Sequence, residues 1–284
     1  MKLLLENWRQ YLNEVTTIPR DLKQGLKDAI INSQFWTSPH TEDQVDLVGE
    51  NEFGTPAIEI LMDALNDAAE NLGTDLYFLL TVDDTEKYTL GPDDQYGGYP
   101  NNWMIQGQYR GPDKDKHVIW LEFRPLAKNY NMDDLNPDEL AGIVSRTINH
   151  ELVHYEQLKK QAESKGISEE EAWHEMECDP KQIPVTDPDE YRKRCEREPP
   201  EPDESRAGYL TSHIEVDAFA YEAAEQLLDV YSADEAFQLI KTRDPELKGV
   251  VRDYLNVLGD NPDELKKFWS KLYTQIERQS ETNP

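Results

Sequence analysis

Residues 147–158 read TINHELVHYEQL, with His150 and His154 four apart and Glu151 beside the first. The residues around them set the local structure. Leu140, Ile143, Val144, Thr147 and Ile148 recur at helical spacing, and His150, Glu151, His154 and Leu158 continue the same face. The pattern predicts an amphipathic helix whose ionisable side chains turn inward. Burying such groups costs free energy unless something compensates them. One helical turn rises about 5.4 Å, so both imidazoles lean over one face and can share a metal ion. Neutral imidazole suits zinc, and catalytic zinc takes three protein ligands plus water. Glu151, about 100° further round the helix, can reach that water without taking a ligand position. Its expected role is general base.

Working outward, the helix has a clear start and stop. Asn136 is a good N-cap, Pro137 suits the first helical position, and Asp138 and Glu139 suit the positive helix end. Gly166 is the expected stop. Upstream, TDLYFLLTV, NNWMIQGQYRG and KHVIWLEFRP read as strands, and GPDDQYGGYP reads as a loop. Before these, a helical region runs to about Phe35, and GTPAIEILMDALNDAAENLG is a helix with Gly73 beyond its end. Downstream, residues 177–208 form an acidic, Pro-rich insert, with a short helix after Asp187 as an option. Helix returns with SHIEVDAFAYEAAEQLLDVYS and continues to the C-terminus, where NPDEL at residues 261–265 repeats a helix-start grammar. Strands early and helices late predict one α+β domain over residues 15–284.

The bulk numbers exclude some functions. The chain has 284 residues, 58 acidic and 29 basic, for a net charge of −29. Binding nucleic acid through phosphates needs clustered Lys and Arg, and docking on anionic membranes needs the same. Neither a nucleic acid nor a membrane is therefore an expected partner; the charge reads as a solvated surface, with DNA mimicry the sharper alternative. No apolar run in the sequence reaches membrane-spanning length. MKLLLENWRQYLNEV is too short in its apolar part, and too charged after it, for a secretory signal. Cys178 and Cys195 make no disulfide framework, so a reducing compartment is expected. These two, with His174, His40 and His117, are read as structural or incidental.

The central stretch resembles the zincin metallopeptidases, whose core pattern is HExxH. Thr147, Ile148, Leu152, Val153 and Tyr155 fit that family's uncharged flanks, while Glu156 stands where an apolar residue is usual. The resemblance implies Zn2+ at His150 and His154, with Glu151 as catalytic base. It also implies a small, mostly antiparallel sheet packed on the active-site helix, with an edge strand that aligns peptide substrate. KHVIWLEF is the expected edge strand. The metzincin extension is absent, because YEQLKKQ follows His154, and the thermolysin-like NExxSD is absent too. HIEVDAFAYE, residues 213–222, resembles the looser gluzincin pattern, in which a helical Glu precedes an Ala by three positions. Glu215 with Ala218 fits as third ligand. Asp217 with Ala220 fits the same spacing, and His213 is a further option. Tyr209, His213 and Tyr221 are the nearby side chains able to stabilise an oxyanion.

The first residues, MKLLLENWRQYLNE, resemble the capsid-targeting segments of internal head proteins of tailed phages, which are removed after Leu-x-Glu. Leu12-Asn13-Glu14 fits, making residues 1–14 a removable segment and Val15 the mature start. A docked amphipathic helix is the alternative. The resemblance implies a protein of the virion or of the bacterial host cytoplasm. Two functions follow. The first is a zinc-dependent peptidase acting on protein or peptide. The second is a non-enzymatic, acidic internal or interaction protein whose metal site is structural or vestigial.

Overall fold

The computed structural model describes residues 18–33, 56–82, 103–113, 115–125, 137–179, 192–193, 195, 206–259 and 261–282. The N-terminal segment, the N-cap Asn136, most of the 177–208 insert and His40 lie outside these residues. The chain divides into two compact units, Ile18–Tyr155 and Glu156–Pro284. The division falls inside one continuous helix.

The first unit opens with helices α1 (Arg20–Asn32) and α2 (Pro56–Asn71). In α1, Leu22, Leu26 and Ile30 are buried one turn apart; in α2, Ile58, Leu61, Leu65 and Ala69 form the buried stripe. Gly73, at φ +67°, ends α2 in the left-handed region that glycine adopts at no steric cost. Three strands follow: β1 (Leu76–Val82), β2 (Trp103–Asp113) and β3 (Lys116–Pro125). Their order is β1-β3-β2. β1 runs parallel to β3, with Phe78 opposite Ile119, and β2 runs antiparallel to β3, with Tyr109 opposite Ile119.

Two expectations are corrected here. The sheet is mixed rather than mostly antiparallel, because one of its two strand pairs is parallel. KHVIWLEF is the central strand and not the edge. Its physical reason is burial: Ile119, Leu121 and Phe123 are at most 2% exposed, as suits a strand flanked on both sides. The edges are β1 and β2. At the β1 edge Asn66 of α2 acts as a strand surrogate: its Oδ1 accepts from Phe78 N–H at 2.8 Å and its Nδ2 donates to Phe78 C=O at 3.0 Å.

Helix α3 (Pro137–Lys165) crosses the division and ends at Gly166, φ +67°. Every residue from Ile148 to Tyr155 is buried. The second unit continues with α4 (Glu169–Glu177), α5 (Arg206–Thr211), α6 (His213–Leu228), α7 (Ala233–Thr242), α8 (Gly249–Leu258) and α9 (Pro262–Thr282). Ser168 and Ser232 start α4 and α7 with full capping boxes. The core of this unit gathers Ala220 and Ala224 of α6, Tyr254 of α8, and Phe268 and Leu272 of α9. The Tyr254 and Phe268 rings stack, and the Tyr254 hydroxyl donates to Leu210 C=O at 2.8 Å. Small residues on α6 let the larger side chains of its neighbours approach.

The reading of Cys178 and Cys195 as separate thiols is also corrected: they form a disulfide across 17 residues. Cys178 sits at the C-cap of α4, which holds one partner in place. Among the described residues no helix is long and apolar enough to cross a membrane.

Candidate metal centre

Helical phase sorts the buried residues of α3 into two faces. His150 and His154, one turn apart, hold their rings at a centroid distance of 5.1 Å and 78° to each other. Both are 6% exposed. Thr147, Glu151 and Tyr155, also spaced by one turn, look toward the sheet. Glu151 is 5% exposed, and its Oε2 accepts from Tyr109 N–H of β2 at 2.6 Å. A buried carboxylate is thereby held by a backbone donor, the kind of charge-assisted bond that makes burial tolerable.

That contact requires a glycine. A Cβ on Gly107 would lie 2.6 Å from Glu151 Oε1, 2.8 Å from Glu151 Cγ and 2.8 Å from Thr147 Cγ2. The Gly107 backbone has no positive φ, so space and not conformation makes the demand. Gly107 and Tyr109 went unremarked in the sequence, because nothing local marks a strand glycine as the seat of a side chain 44 residues away.

Behind Tyr109 lies a chain of polar contacts. The Tyr109 hydroxyl meets His117 Nδ1 at 2.5 Å, and His117 Nε2 stands 3.6 Å from Asp75 Oδ2. The Tyr155 hydroxyl donates to Asp75 Oδ1 at 2.6 Å. His117 is buried and packs edge-on against Tyr155 at 5.0 Å. The incidental reading of His117 is therefore corrected: it is the middle of a buried network.

In the second unit, Gln157 of α3 donates to Ile214 C=O at 3.1 Å, which ties the start of α6 to the C-terminal half of α3. Glu215, the next residue, is 8% exposed. His150 and His154 of the first unit and Glu215 of the second are buried residues of ligand types that could hold a metal ion. Asp217 is engaged elsewhere. Its Oδ1 forms an ion pair with Lys271 Nζ at 3.0 Å, and burial pushes its carboxyl up against the opposing pull of Lys271. His213 is exposed. Of the oxyanion candidates, Tyr209 packs edge-on against Phe219 at 5.7 Å. Tyr221 is buried, and burial, then the Glu225 carboxylate, pushes its hydroxyl well above the usual tyrosine range. His174 is exposed beside the disulfide.

The donor set fits zinc: two imidazoles and one carboxylate, all buried, are the ligand types and number of a catalytic site. No family model, curated protein or solved structure matches the chain.

Proposed function

We propose that the protein is a zinc-dependent peptidase, with His150, His154 and Glu215 as metal ligands and Glu151 as general base. The observation that carries this reading is the position of Glu151. It is buried next in sequence to His150, and one of its oxygens is held in a fixed orientation by Tyr109 N–H. A general base needs a fixed orientation, and a buried carboxylate tied to a backbone donor has one. Zinc, when bound, would polarise the scissile carbonyl and make water a usable nucleophile at neutral pH. Glu151 would take the proton from the attacking water and hand it to the leaving amine.

The sheet supplies the means to hold an extended substrate. Tyr109 N–H points at Glu151 and not across the ladder to β3. In an antiparallel pair alternate residues face alternate sides. Gly107 and Ile105 therefore direct their N–H and C=O groups the same way as Tyr109, along an edge that no described strand covers. An incoming peptide strand would pair there, beside Glu151. β2 takes the aligning role that the sequence assigned to β3.

The test is cleavage of an unfolded protein such as reduced casein by zinc-loaded protein. Glu151→Gln should retain zinc and lose at least about 100-fold in kcat, the lower range for a general base. Equal cleavage by wild type and variant would remove the mechanism. Full zinc retention in a His150→Ala, His154→Ala double variant would remove the ligand assignment.

A further inference from the structure

We propose that Tyr109, His117, Asp75 and Tyr155 form a closed positioning ring that sets the general base against the metal face. The ring starts and ends on α3. From Glu151 it passes by the Tyr109 N–H to β2, by the Tyr109 hydroxyl to His117 on β3, by His117 to Asp75 ahead of β1, and by Asp75 to the Tyr155 hydroxyl. Glu151 and Tyr155 are one turn apart on the same face, so the helix itself closes the loop.

Geometry supports a single unit. The Tyr109 and His117 rings are near-parallel at 9°, and Tyr155 stands edge-on to both, at 6.4 Å from Tyr109 and 5.0 Å from His117. A second tie fixes the register: His117 N–H donates to Asp75 C=O at 2.8 Å. Tyr155 follows His154 directly, so the helix is pinned next to a ligand. Each member of such a ring polarises and orients the next, and breaking one bond frees the rest. These four are positioning residues: in the described contacts they act through Glu151 and the helix.

This proposal rests on the peptidase reading for its activity arm only. The experiment uses Tyr109→Phe, Tyr155→Phe and the double variant, each keeping the ring packing and the Tyr109 N–H. Two properties are read: kcat and KM on reduced casein, and the visible absorption spectrum and affinity of the Co2+-loaded protein. Each single variant should lose about tenfold in kcat with KM unchanged, the lower end for groups that orient a metal site. The double variant should lose about the same tenfold, because a ring opened once is already open. The cobalt spectra of all three should shift alike. Losses that multiply to about a hundredfold in the double variant, or unchanged kcat and spectra with only a lower Tm, would overturn the ring. Asp75 and His117 also belong to a group able to hold a cation of its own. A second cobalt ion per chain, lost in His117→Gln, would likewise overturn a purely positioning role. If wild type shows no Glu151-dependent cleavage, the peptidase reading fails, and the spectral arm alone decides the ring.

Discussion

Replacing Gly107 with alanine tests the seat of Glu151, and the sign of its effect is decisive. At a strand position with ordinary φ, Gly→Ala normally stabilises by about 0.4–1 kcal/mol, because the unfolded chain loses freedom. Gly107 has such a φ. Here the added methyl would stand 2.8 Å from Thr147 Cγ2 and 2.6 Å from Glu151 Oε1, against an ordinary carbon–carbon separation of about 3.5–4.0 Å. Thr147 cannot swing away cheaply, because a β-branched side chain on a helix is stiff at χ1. Glu151 can leave only by giving up its 2.6 Å bond to Tyr109 N–H. Overpacking costs about 1–3 kcal/mol, and losing a hydrogen bond to a buried charge costs about 1.5–3 kcal/mol. We expect a net destabilisation of about 1–3 kcal/mol, since the protein takes the cheaper route. The urea midpoint should fall with the slope unchanged. Cleavage should fall further than stability explains, because the base is displaced. Adding Thr147→Ser should recover part of the stability. A Gly107→Ala protein that is as stable as wild type, or more so, with normal cleavage would refute this packing.

Other substitutions probe other parts of the structure. Leu121→Ala, in the middle of the central strand and wholly buried, should cost about 2–5 kcal/mol in urea unfolding. Asn66→Asp keeps the acceptor for Phe78 N–H but sets an oxygen against Phe78 C=O, and should cost about 1–3 kcal/mol; Asn66→Gly with an equal cost would show that the repulsion is immaterial. Reducing the Cys178–Cys195 bond reopens a loop spanning 17 residues and should remove about 3 kcal/mol of stability in the chain-entropy picture, read as a lower Tm in reductant. The Ser232 cap holds the Glu235 carboxyl below its usual range. A folded pKa below the unfolded one gives stability present above the unfolded pKa and lost as pH falls through the folded value. Amide protection at the start of α7, corrected for the intrinsic pH dependence of exchange, should therefore fall on acidification through and below the ordinary carboxylate range, and Glu235→Gln should flatten that response.

Periodicity made the long helices legible. The Ile58, Leu61, Leu65, Ala69 stripe of α2 and the Asn-Pro-Asp-Glu start of α9 need only local information. The extents of β1 and β3 were equally local. Their order was not, because pairing joins residues as distant as Phe78 and Ile119. The apolar run VIWL, residues 118–121, carried the hint, since a strand covered on both sides reads as continuous where an edge strand alternates. At the site, the His-Glu-x-x-His turn could be read from spacing alone. Glu215 stood ahead of Asp217 only by its extra methylene, because both are helical and acidic; the ion pair that occupies Asp217 comes from Lys271 on a different helix. The network around His117 was invisible for the same reason, since its partners Asp75, Tyr109 and Tyr155 are scattered along the chain.

The amide of Asn66 plugs the β1 margin at Phe78, while along the β2 margin, where Glu151 takes the Tyr109 N–H, no described strand pairs. A guest strand would meet a side-chain amide at Phe78 on the β1 side and no described strand on the β2 side. Two copies meeting through their β2 margins would leave the Asn66-blocked β1 margins facing outward, which favours a closed pair over a fibril.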